Sequence, residues 1–407
     1  MSILREEALK LHKEKQGKLG VHSKILVRDA RDLSLAYSPG VAEPCIDIYE
    51  DESKVYDYTM KGNLVAVVSD GTAVLGLGNI GPKAAMPVME GKALLFKSFA
   101  DVDAFPICLD TNDTDKIVEV VKLLEPTFGG INLEDIAAPQ CFEIEERLRK
   151  ACNIPIFHDD QHGTAIVTAA GLINALKLAN KKIEDIRVVA NGAGAAGIAI
   201  VKLLLHMGVK DIILCDTKGI IYEGRPVGMN PFKEELARIT NKGQKQGTLA
   251  DALAGADVFV GVSAAGAVTK EMVRSMNHRP IIFAMANPVP EIMPEDAIEA
   301  GALVIGTGRS DFPNQVNNVL AFPGIFRGAL DVHAKEINEE MKLAAVYSIA
   351  QLISEKDLHP EYVIPDPFDR RVAAHVAAAV ANAAIETGVA QKNVNVNEIK
   401  NNLLALV

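Results

Sequence analysis

Two pairs of adjacent acids mark where chemistry could take place in this chain. Glu134 and Asp135 stand in NLEDIAAPQ, Asp159 and Asp160 stand in FHDDQHGTA, and the run NGAGAAG follows at 191–197. Carboxylates from separate loops suit a hard cation, and a glycine run of this kind suits a dinucleotide. A plain dehydrogenase needs no such cation, and a plain metal hydrolase needs no dinucleotide. The combination indicates oxidation of a small polar substrate whose product the metal helps to transform.

The acid pairs also have a simpler interpretation. Acids are favoured at helix N-termini, where they cap free N–H groups and complement the helix dipole. From the pattern alone, both pairs fit metal binding and capping equally well. If a metal binds, Mg²⁺ or Mn²⁺ is favoured because these ions prefer oxygen ligands. His158 and His162 flank the second pair and raise the alternative of zinc, but no cysteine lies nearby, so packing and hydrogen bonding are expected for both.

The glycine run at 191–197 has the context of a dinucleotide loop. It follows an apolar strand and opens a predicted helix, and Asp216 stands 19 residues after Gly197, where an acid can bind the adenosine ribose. A purely structural turn is the alternative. Asp216 favours NAD, yet Lys218 could offset the charge of a 2′-phosphate, so NAD and NADP both stay open. The residues predicted to hold the dinucleotide are Gly192, Ala193, Gly194, Ala195, Ala196 and Gly197.

A second stretch, Gly76 to Gly81, fits the same glycine pattern. Pro82 and Pro87 follow it, and we expect them to break the helix that should face a pyrophosphate. This stretch is interpreted as a tight turn near the active site.

Five further polar residues are candidates for acid–base or binding roles. Lys92 precedes an apolar helical stretch, so partial desolvation could lower its pKa toward that of a general base, although a surface lysine is the alternative. Tyr37 precedes a Ser-Pro-Gly turn that could hold its phenol over a site, or it could simply pack. Asn287, Asn317 and Asn318 could bind nicotinamide or a substrate carboxylate, or form turns.

The order of apolar runs predicts an α/β protein of two domains. Between about 63 and 110, β-rich runs alternate with a helix at 89–99, and helices follow at 116–124 and 163–179. From 186 onward, the runs IRVVAN, DIILCD, ADVFVGVS, PIIFAMANP and ALVIGTG alternate with helices, which indicates a Rossmann-type doubly wound parallel sheet. Helices at 336–354 and 370–387 are expected to pack back over the first domain. The predicted boundaries are 1–160, 161–390 and a tail at 391–407.

Composition excludes several classes of protein. The balance of 53 acids and 42 bases gives a net charge of -11, which disfavours nucleic acid and anionic membranes as partners. The N-terminal stretch is charged and has no apolar core of signal-peptide length, and no run approaches the roughly 18 apolar residues of a membrane span, so a cytoplasmic protein is expected. No two of the five cysteines form a CxxC pair, and we expect them to be reduced packing residues.

Several blocks in one order resemble the malic enzyme family, in particular its short bacterial NAD(P)-dependent form. The resemblance runs from about residue 15 to about residue 385 and is carried by LAYSPGVAEPC, SDGTAVLGLGNIG, PVMEGKALLFK, NLEDI, FHDDQHGTA, VVANGAGAAG, MANPVPEI and NNVLAFPGIFRGALD.

The resemblance assigns roles to the candidate residues. It implies that Tyr37 is the general acid and that Lys92 is the general base in contact with the substrate. It further implies that the first domain binds substrate and metal, with Glu134, Asp135 and Asp160 as metal ligands and Asp159 as a neighbouring supporting acid. Asn287 is then a cofactor contact, and Asn318, with Asn317 beside it, a substrate carboxylate contact.

The implied reaction is oxidative decarboxylation of (S)-malate to pyruvate and CO2 with reduction of NAD(P), in a homodimer that can also decarboxylate oxaloacetate. Lys92 would take the hydroxyl proton as hydride leaves C2, and Tyr37 would protonate C3. One alternative is a malate or oxaloacetate lyase with bound dinucleotide and no net redox change. A second, a nucleotide-sensing protein without catalysis, is disfavoured because Lys92 and both acid pairs are present.

The chain departs from the long malic enzymes at Thr72 and Ala73, where those enzymes carry an arginine that helps to hold the substrate. Binding of the substrate carboxylate is therefore expected to rely on the Gly76 to Gly81 turn and on the asparagines. The sequence also ends at 407 without the acetyltransferase-like extension of some bacterial relatives, so regulation through that module is not expected.

Overall fold

The computed structural model describes residues 3–74 and 76–406, and these contain two sheets. The first sheet is parallel, with strand order β2-β1-β3-β4. Every residue of β1 is buried, as expected for a strand that lies inside a parallel sheet covered by helices. Its strands are β1 (Leu64–Ser69), β2 (Asp103–Cys108), β3 (Gly130–Leu133) and β4 (Ile156–His158).

The second sheet has the order β10-β9-β8-β5-β6-β7, and all its pairs are parallel except the short edge strand β7, which runs antiparallel to β6. This is the doubly wound arrangement predicted from the apolar runs. Its strands are β5 (Arg187–Asn191), β6 (Asp211–Asp216), β7 (Gly219–Ile220), β8 (Val258–Gly261), β9 (Ile281–Ala284) and β10 (Val304–Thr307).

Helices surround both sheets. In chain order they are α1 (Ile3–Lys15), α2 (Ala30–Ala36), α3 (Ala42–Glu50), α4 (Val55–Tyr58), α5 (Pro82–Ala100), α6 (Thr114–Leu123), α7 (Gln140–Ala151), α8 (Asp159–Ala179), α9 (Ala195–His206), α10 (Pro231–Ile239), α11 (Leu249–Leu253), α12 (Lys270–Arg274), α13 (Pro294–Glu299), α14 (Phe322–Asp331), α15 (Glu339–Gln351), α16 (Arg371–Glu386) and α17 (Val396–Ala405). None of the described helices is long and apolar enough to cross a membrane.

Helix α14, which was not predicted, packs onto the first sheet, and α16, one of the two helices expected to pack back, contacts both α14 and α5. The ring of Phe322 in α14 lies 4.7 Å from that of Phe96 in α5, and Phe326 lies 5.9 Å from Phe157 of β4. Helix α16 packs against α14, where Gly324 and Gly328 leave no room for a Cβ beside Val376 and Ala377. The predicted tail contains α17, and its last residue, 407, lies outside the described residues.

The prediction that Pro82 and Pro87 break the helix after Gly81 was wrong. Helix α5 begins at Pro82 and continues through Pro87. Proline is well tolerated at the first helical position because the N–H that it lacks has no partner there. Pro87 costs one interior hydrogen bond, and the rest of this long helix compensates for it. The predicted helix at 89–99 is the second half of α5.

Among the elements that were not predicted are the strands β3 and β4 and the helix α7, which contribute to the first sheet and its cover. The strands are only four and three residues long, too short to show a periodic pattern. The prediction for the cysteines was only partly right. Cys141, Cys152 and Cys215 are buried thiols, whereas Cys45 is exposed and Cys108 is half-buried.

Candidate functional site

The two acid pairs meet because β3 and β4 are neighbouring parallel strands that end together. Leu133, the last residue of β3, is paired with His158, the last residue of β4. Glu134-Asp135 and Asp159-Asp160 are the next residues of the chain, so both pairs leave the same edge of the sheet. The carboxyl ends of strands in such sheets are where ligands bind.

Three of the four acids converge. Glu134, Asp135 and Asp160 each offer one carboxylate oxygen, and these atoms lie within 4.8 Å of one another. The Asp135 N–H donates to Asp160 Oδ2 at 2.7 Å, which ties the loop after β3 to the start of α8. The oxygen-only set fits Mg²⁺ or Mn²⁺ and contains no histidine or cysteine.

The capping interpretation fits these acids poorly. The first helix after Glu134 and Asp135 is α7, which begins only at Gln140. Helix α8 has His158 at its N-cap without a side-chain capping bond, and Asp159 and Asp160 lie in its first turn. Their charges complement the helix dipole, but both side chains make other contacts.

Lys92 lies inside the acid cluster. Its Nζ donates to Asp159 Oδ2 at 2.6 Å and lies 2.8 Å from Glu134 Oε1. The ammonium also lies 4.3 Å from the centroid of the Phe322 ring. The side chain is buried, which excludes the alternative of a surface lysine.

The direction of the Lys92 pKa shift was predicted wrongly. Burial alone lowers the pKa of a lysine, but the carboxylates of Asp159 and Glu134 outweigh burial and hold the Lys92 pKa above its ordinary value. Burial raises the pKa of Glu134 and of Asp159 to about 7, and it also raises the pKa of Asp160. Several acids share one ammonium, so the cluster has an excess of negative charge that a divalent cation would neutralise.

We expect metal affinity to fall as the pH is lowered from about 8 to about 5, because protons then compete with the metal for the carboxylates. The raised pKa of Glu134 means that the metal-free folded state binds protons more tightly than the unfolded state does. The contribution of Glu134 to the stability of the metal-free protein is therefore fully present at low pH, and it is lost as the pH rises through about 7. Melting curves across this range, with and without Mn²⁺, test this: the Tm increase due to Mn²⁺ should grow with pH. A pH-independent increase would contradict the prediction.

The two histidines beside the second acid pair are not part of the converging set. His158 is fully buried, and burial lowers its pKa to about 4. His162 binds Glu145 Oε1 of α7 through Nε2 at 2.7 Å. Glu145 also accepts a hydrogen bond from Gln161 at 3.1 Å, so it attaches α7 to the start of α8. His162 thus makes a predicted hydrogen bond, whereas His158 is packed with neither ring nitrogen hydrogen-bonded within the described residues, its Nε2 lying 3.5 Å from Asp160 Oδ2.

The glycine loop at the end of β5 leaves room for a ligand. A Cβ at Gly192 would collide with Val262 O, and one at Gly197 would collide with Gly192 O, so these two glycines permit close backbone packing. A Cβ at Gly194 would meet no atom within 4 Å. Gly194 is the N-cap of α9 and caps it with no side chain, so first-turn N–H groups are available to a pyrophosphate. The loop therefore fits a dinucleotide.

Asp216, at the end of β6, does not present a free carboxylate. Arg225 binds it with both terminal nitrogens, Nη1 to Oδ1 at 2.8 Å and Nη2 to Oδ2 at 2.5 Å, and Lys233 Nζ donates to Oδ2 at 2.7 Å. The Lys218 N–H adds a fourth hydrogen bond at 2.8 Å. Although burial opposes it, these donors lower the pKa of Asp216 well below its usual range. Sequence reasoning identified Asp216 but missed Arg225 and Lys233.

The predicted asparagines differ in their surroundings. Asn318 lies beside Asp159, since a Cβ at Gly163 would meet both the Asp159 carboxylate and the Cβ of Asn318. Asn317 caps the short 3-10 helix at Asn318–Leu320 by accepting from the Val319 N–H at 3.0 Å, which fits its turn-forming alternative. The amide of Asn287 lies against Gly308, at the edge of the second sheet.

The turn at Gly76 to Gly81 connects the two halves of the site. Ala73, just before it, donates its N–H to Asp135 O at 2.9 Å. Gly76 packs against the carbonyl of Asn287, where a Cβ would lie 3.0 Å from that oxygen, and its φ is +73°. Ala73 therefore contacts the segment that carries Asp135, and Gly76 of the turn contacts the segment that follows β9 of the second sheet.

Tyr37 is not part of the buried cluster. It ends α2, is 68% exposed, and its side chain makes no hydrogen bond within the described residues. Neither α2 nor α3 buries any residue. Its predicted role as general acid has no support from contacts within one chain.

Several residues that contact the site were not identified from the sequence. Asn132 donates to Glu134 Oε2 at 2.8 Å, and Gly163 packs so closely on Asp159 that a Cβ would collide with its carboxylate. Phe322 and Glu145 contribute the contacts described above. Only the glycine could have been suspected, because a glycine inside a predicted helix needs a packing reason.

Comparison with known proteins identifies both halves of the chain. The model of the malic enzyme N-terminal domain matches residues 16–149, and the model of the malic enzyme NAD binding domain matches residues 161–385. The bifunctional malic/malolactic enzyme of Bacillus subtilis is 74% identical over 97% of both chains. The NAD-dependent malic enzyme of Geobacillus stearothermophilus is 59% identical over 93% of this chain and 78% of its own. The crystal structure of malic enzyme from Pyrococcus horikoshii superposes with a TM-score of 0.96 at 47% identity, covering 99% of this chain and 96% of that one.

Proposed function

Because the chain belongs to the malic enzyme family, we propose that it oxidises (S)-malate with NAD(P) and decarboxylates the product to pyruvate and CO2. The observation that carries this proposal is the cluster in which Lys92 lies among Glu134, Asp159 and the acids that converge for a cation. Formation of reduced dinucleotide and pyruvate from malate with Mn²⁺ or Mg²⁺ tests it, and pyruvate without reduced dinucleotide would contradict it.

We propose Glu134, Asp135 and Asp160 as the residues that hold the cation, and the loop from Gly192 to Gly197 as the cradle of the dinucleotide. When bound, the cation supplies Lewis-acid polarisation of the C2 oxygen, and the dinucleotide accepts hydride from C2. The chain around this turn supports the proximity of the two sites, since Ala73 binds the Asp135 carbonyl and Gly76 packs against Asn287.

Lys92 is the base proposed for the C2 hydroxyl. Its Nζ holds a proton shared with Asp159 at 2.6 Å, so a proton received from the substrate at Nζ can be matched by one passed to Asp159, whose pKa is raised to about 7. Burial around Lys92 and Phe322 excludes water from this exchange. The C3–C4 bond then breaks, the C4 carboxylate leaves as CO2, and the electron pair left at C3 takes a proton from an acid, the role proposed for Tyr37.

We propose that Tyr37 reaches the site of a second copy of the chain in a homodimer. The segment around Tyr37, between residues 21 and 49, exposes large apolar side chains, and such patches mark protein interfaces. A two-fold dimer would bury this surface and supply each cluster with the phenol that its own chain does not bring there. The exposed side chains include Val21, Ile25, Leu26, Leu33, Leu35 and Tyr49.

Mixing Tyr37→Phe and Lys92→Ala proteins should restore activity to about a quarter of the wild-type level, since half of the dimers are mixed and each has one intact site. Each variant alone should be nearly inactive. Activity after unfolding and refolding the mixture, compared with each variant treated in the same way, measures this. No recovery in mixtures that do contain mixed dimers would place Tyr37 in its own chain's site.

We propose NADP as the preferred dinucleotide. The Asp216 carboxylate is already occupied by Arg225 and Lys233, and their summed charge with Asp216 is positive, which suits a 2′-phosphate better than a ribose hydroxyl.

We expect Lys233→Gln to lower kcat/KM for NADP by about 10- to 100-fold and to leave kcat/KM for NAD nearly unchanged, because only NADP carries a 2′-phosphate for the Lys233 ammonium to bind. Steady-state kinetics with both dinucleotides measures this. Lys181→Gln is a matched control, since Lys181 has the same exposed fraction of 17% and a 2.7 Å ion pair with Asp257 at the opposite end of the sheet. An equal loss with NAD and NADP would contradict the preference.

A second activity is proposed from the relative named as a bifunctional malic/malolactic enzyme. If hydride returns to C2 of pyruvate before release, the product is lactate and the dinucleotide shows no net change. Separate measurement of lactate and pyruvate from malate tests this, and pyruvate without lactate would exclude it. A cytoplasmic location also stays a proposal, which cell fractionation would test.

A further inference from the structure

Glu291 is a buried acid that the proposed mechanism does not use. It lies between β9 and α13 and is fully buried, with an exposed fraction of 0%. Its Oε1 accepts from the Ser263 N–H at 2.8 Å and from the Ser263 hydroxyl at 2.9 Å, and its Oε2 accepts from the Ala286 N–H at 3.0 Å.

The partners of Glu291 are all neutral donors. Within the described residues it has no ion pair with lysine, arginine or histidine. Asn191 donates to the Ser263 hydroxyl oxygen at 2.8 Å, so the hydroxyl proton is free to point at Glu291. Donors face the carboxylate from several sides, and the ionised form, which only accepts, is the form that they satisfy.

Glu291 connects the ends of three strands at the edge where the dinucleotide is placed. Asn191 ends β5 and Ala286 follows β9 by two residues. Gly261 ends β8 and packs so closely on Glu291 that a Cβ would collide with the carboxylate. Ser263 follows Val262, whose carbonyl faces Gly192 of the glycine loop. A single carboxylate thus connects the carboxyl ends of β5, β8 and β9, which are consecutive strands of the sheet, beside that loop.

We propose that Glu291 is a positioning residue for the nicotinamide end of the dinucleotide, and that its unneutralised charge makes this edge bind the cationic oxidised ring more tightly than the neutral reduced ring. The inference rests on the proposed placement of the dinucleotide. A carboxylate without an ion pair attracts a cation about 10 Å away strongly enough to change binding by about tenfold when the effective dielectric constant is about 20.

Equilibrium binding of NADP⁺ and NADPH to Glu291→Gln tests this without reference to turnover. We expect the Kd of NADP⁺ to rise about tenfold and the Kd of NADPH to change by less than about threefold. Glu291→Asp keeps the charge and should retain the wild-type ratio of the two constants, even if both forms bind more weakly. Equal weakening of both forms by Glu291→Gln, or loss of the ratio in Glu291→Asp, would overturn the inference.

Two controls separate this inference from its premises. Asp257 performs a similar task at the other end of the same sheet, where it accepts from the Arg187 N–H at 2.8 Å and from Lys181 at 2.7 Å. Asp257→Asn should lower Tm and leave both dissociation constants unchanged. Gly194→Val places its side chain in open space and should block both forms of the dinucleotide. If both forms still bind to Gly194→Val, the placement fails, and the inference fails with it.

Discussion

Asp160→Asn is expected to reduce metal-dependent oxidation of malate by at least about a thousandfold, because a cation that polarises the reacting oxygen contributes several kcal/mol to the transition state. Asparagine has nearly the shape of aspartate, and its oxygen can still accept from the Asp135 N–H that now donates to Asp160 at 2.7 Å. The change therefore removes the charge with little effect on the geometry. Turnover at saturating Mn²⁺, the Kd of Mn²⁺ and the Kd of NADPH are the measurements.

The outcome should separate the two parts of the site. Mn²⁺ binding should weaken strongly and NADPH binding should stay close to that of the wild type, since the carboxylates and the glycine loop are on different sheets. Asp103→Asn is the matched control, because Asp103 begins β2 at the opposite edge of the first sheet and pairs with Lys97. Equal losses of metal and dinucleotide binding in Asp160→Asn would show that the variant disturbs the fold rather than the cation site.

Lys92→Ala is expected to reduce the oxidation of malate by about a thousandfold or more and the decarboxylation of supplied oxaloacetate far less, since positioned acid–base groups act only on steps that move their proton. Oxaloacetate already has the ketone at C2, so its decarboxylation needs no base at the C2 hydroxyl. The variant should also bind Mn²⁺ more tightly, because Glu134 and Asp159 lose the ammonium that now lies 2.8 and 2.6 Å from them. The rates with both substrates and the Kd of Mn²⁺ measure these effects.

Lys92→Arg is the conservative comparison for this prediction. A guanidinium preserves the positive charge between the acids and cannot give up its proton, so Lys92→Arg should keep the Mn²⁺ affinity closer to that of the wild type while oxidation stays lost. Uniform loss of both reactions in Lys92→Ala would indicate that the lysine positions the substrate and does not act as the base. Recovery of oxidation by arginine would lead to the same conclusion.

The sequence by itself determined the two-sheet α/β architecture and the identity of most candidate residues. Continuous apolar runs such as LVAVVS and IIFA are typical of buried parallel strands, and they form β1 and β9. The two acid pairs and the glycine loop were recognisable because each has its characteristic composition and flanks. The division at residue 160 and the roles of the individual residues stay predictions.

Tertiary structure decided how these residues act on one another, because pKa values, ion pairs and available space depend on neighbours distant in sequence. The pairing of Leu133 with His158 brings the acid pairs together, although each alone could have capped a helix. Desolvation predicted a lowered pKa for Lys92, but the acids that fold around it raise that pKa. Asp216 was expected to face a ribose, yet it is occupied by Arg225 and Lys233. A sequence pattern shows which residue types lie near one another along the chain. The ion pairs and pKa values within a site depend on residues from separate loops, which come together only in the folded protein.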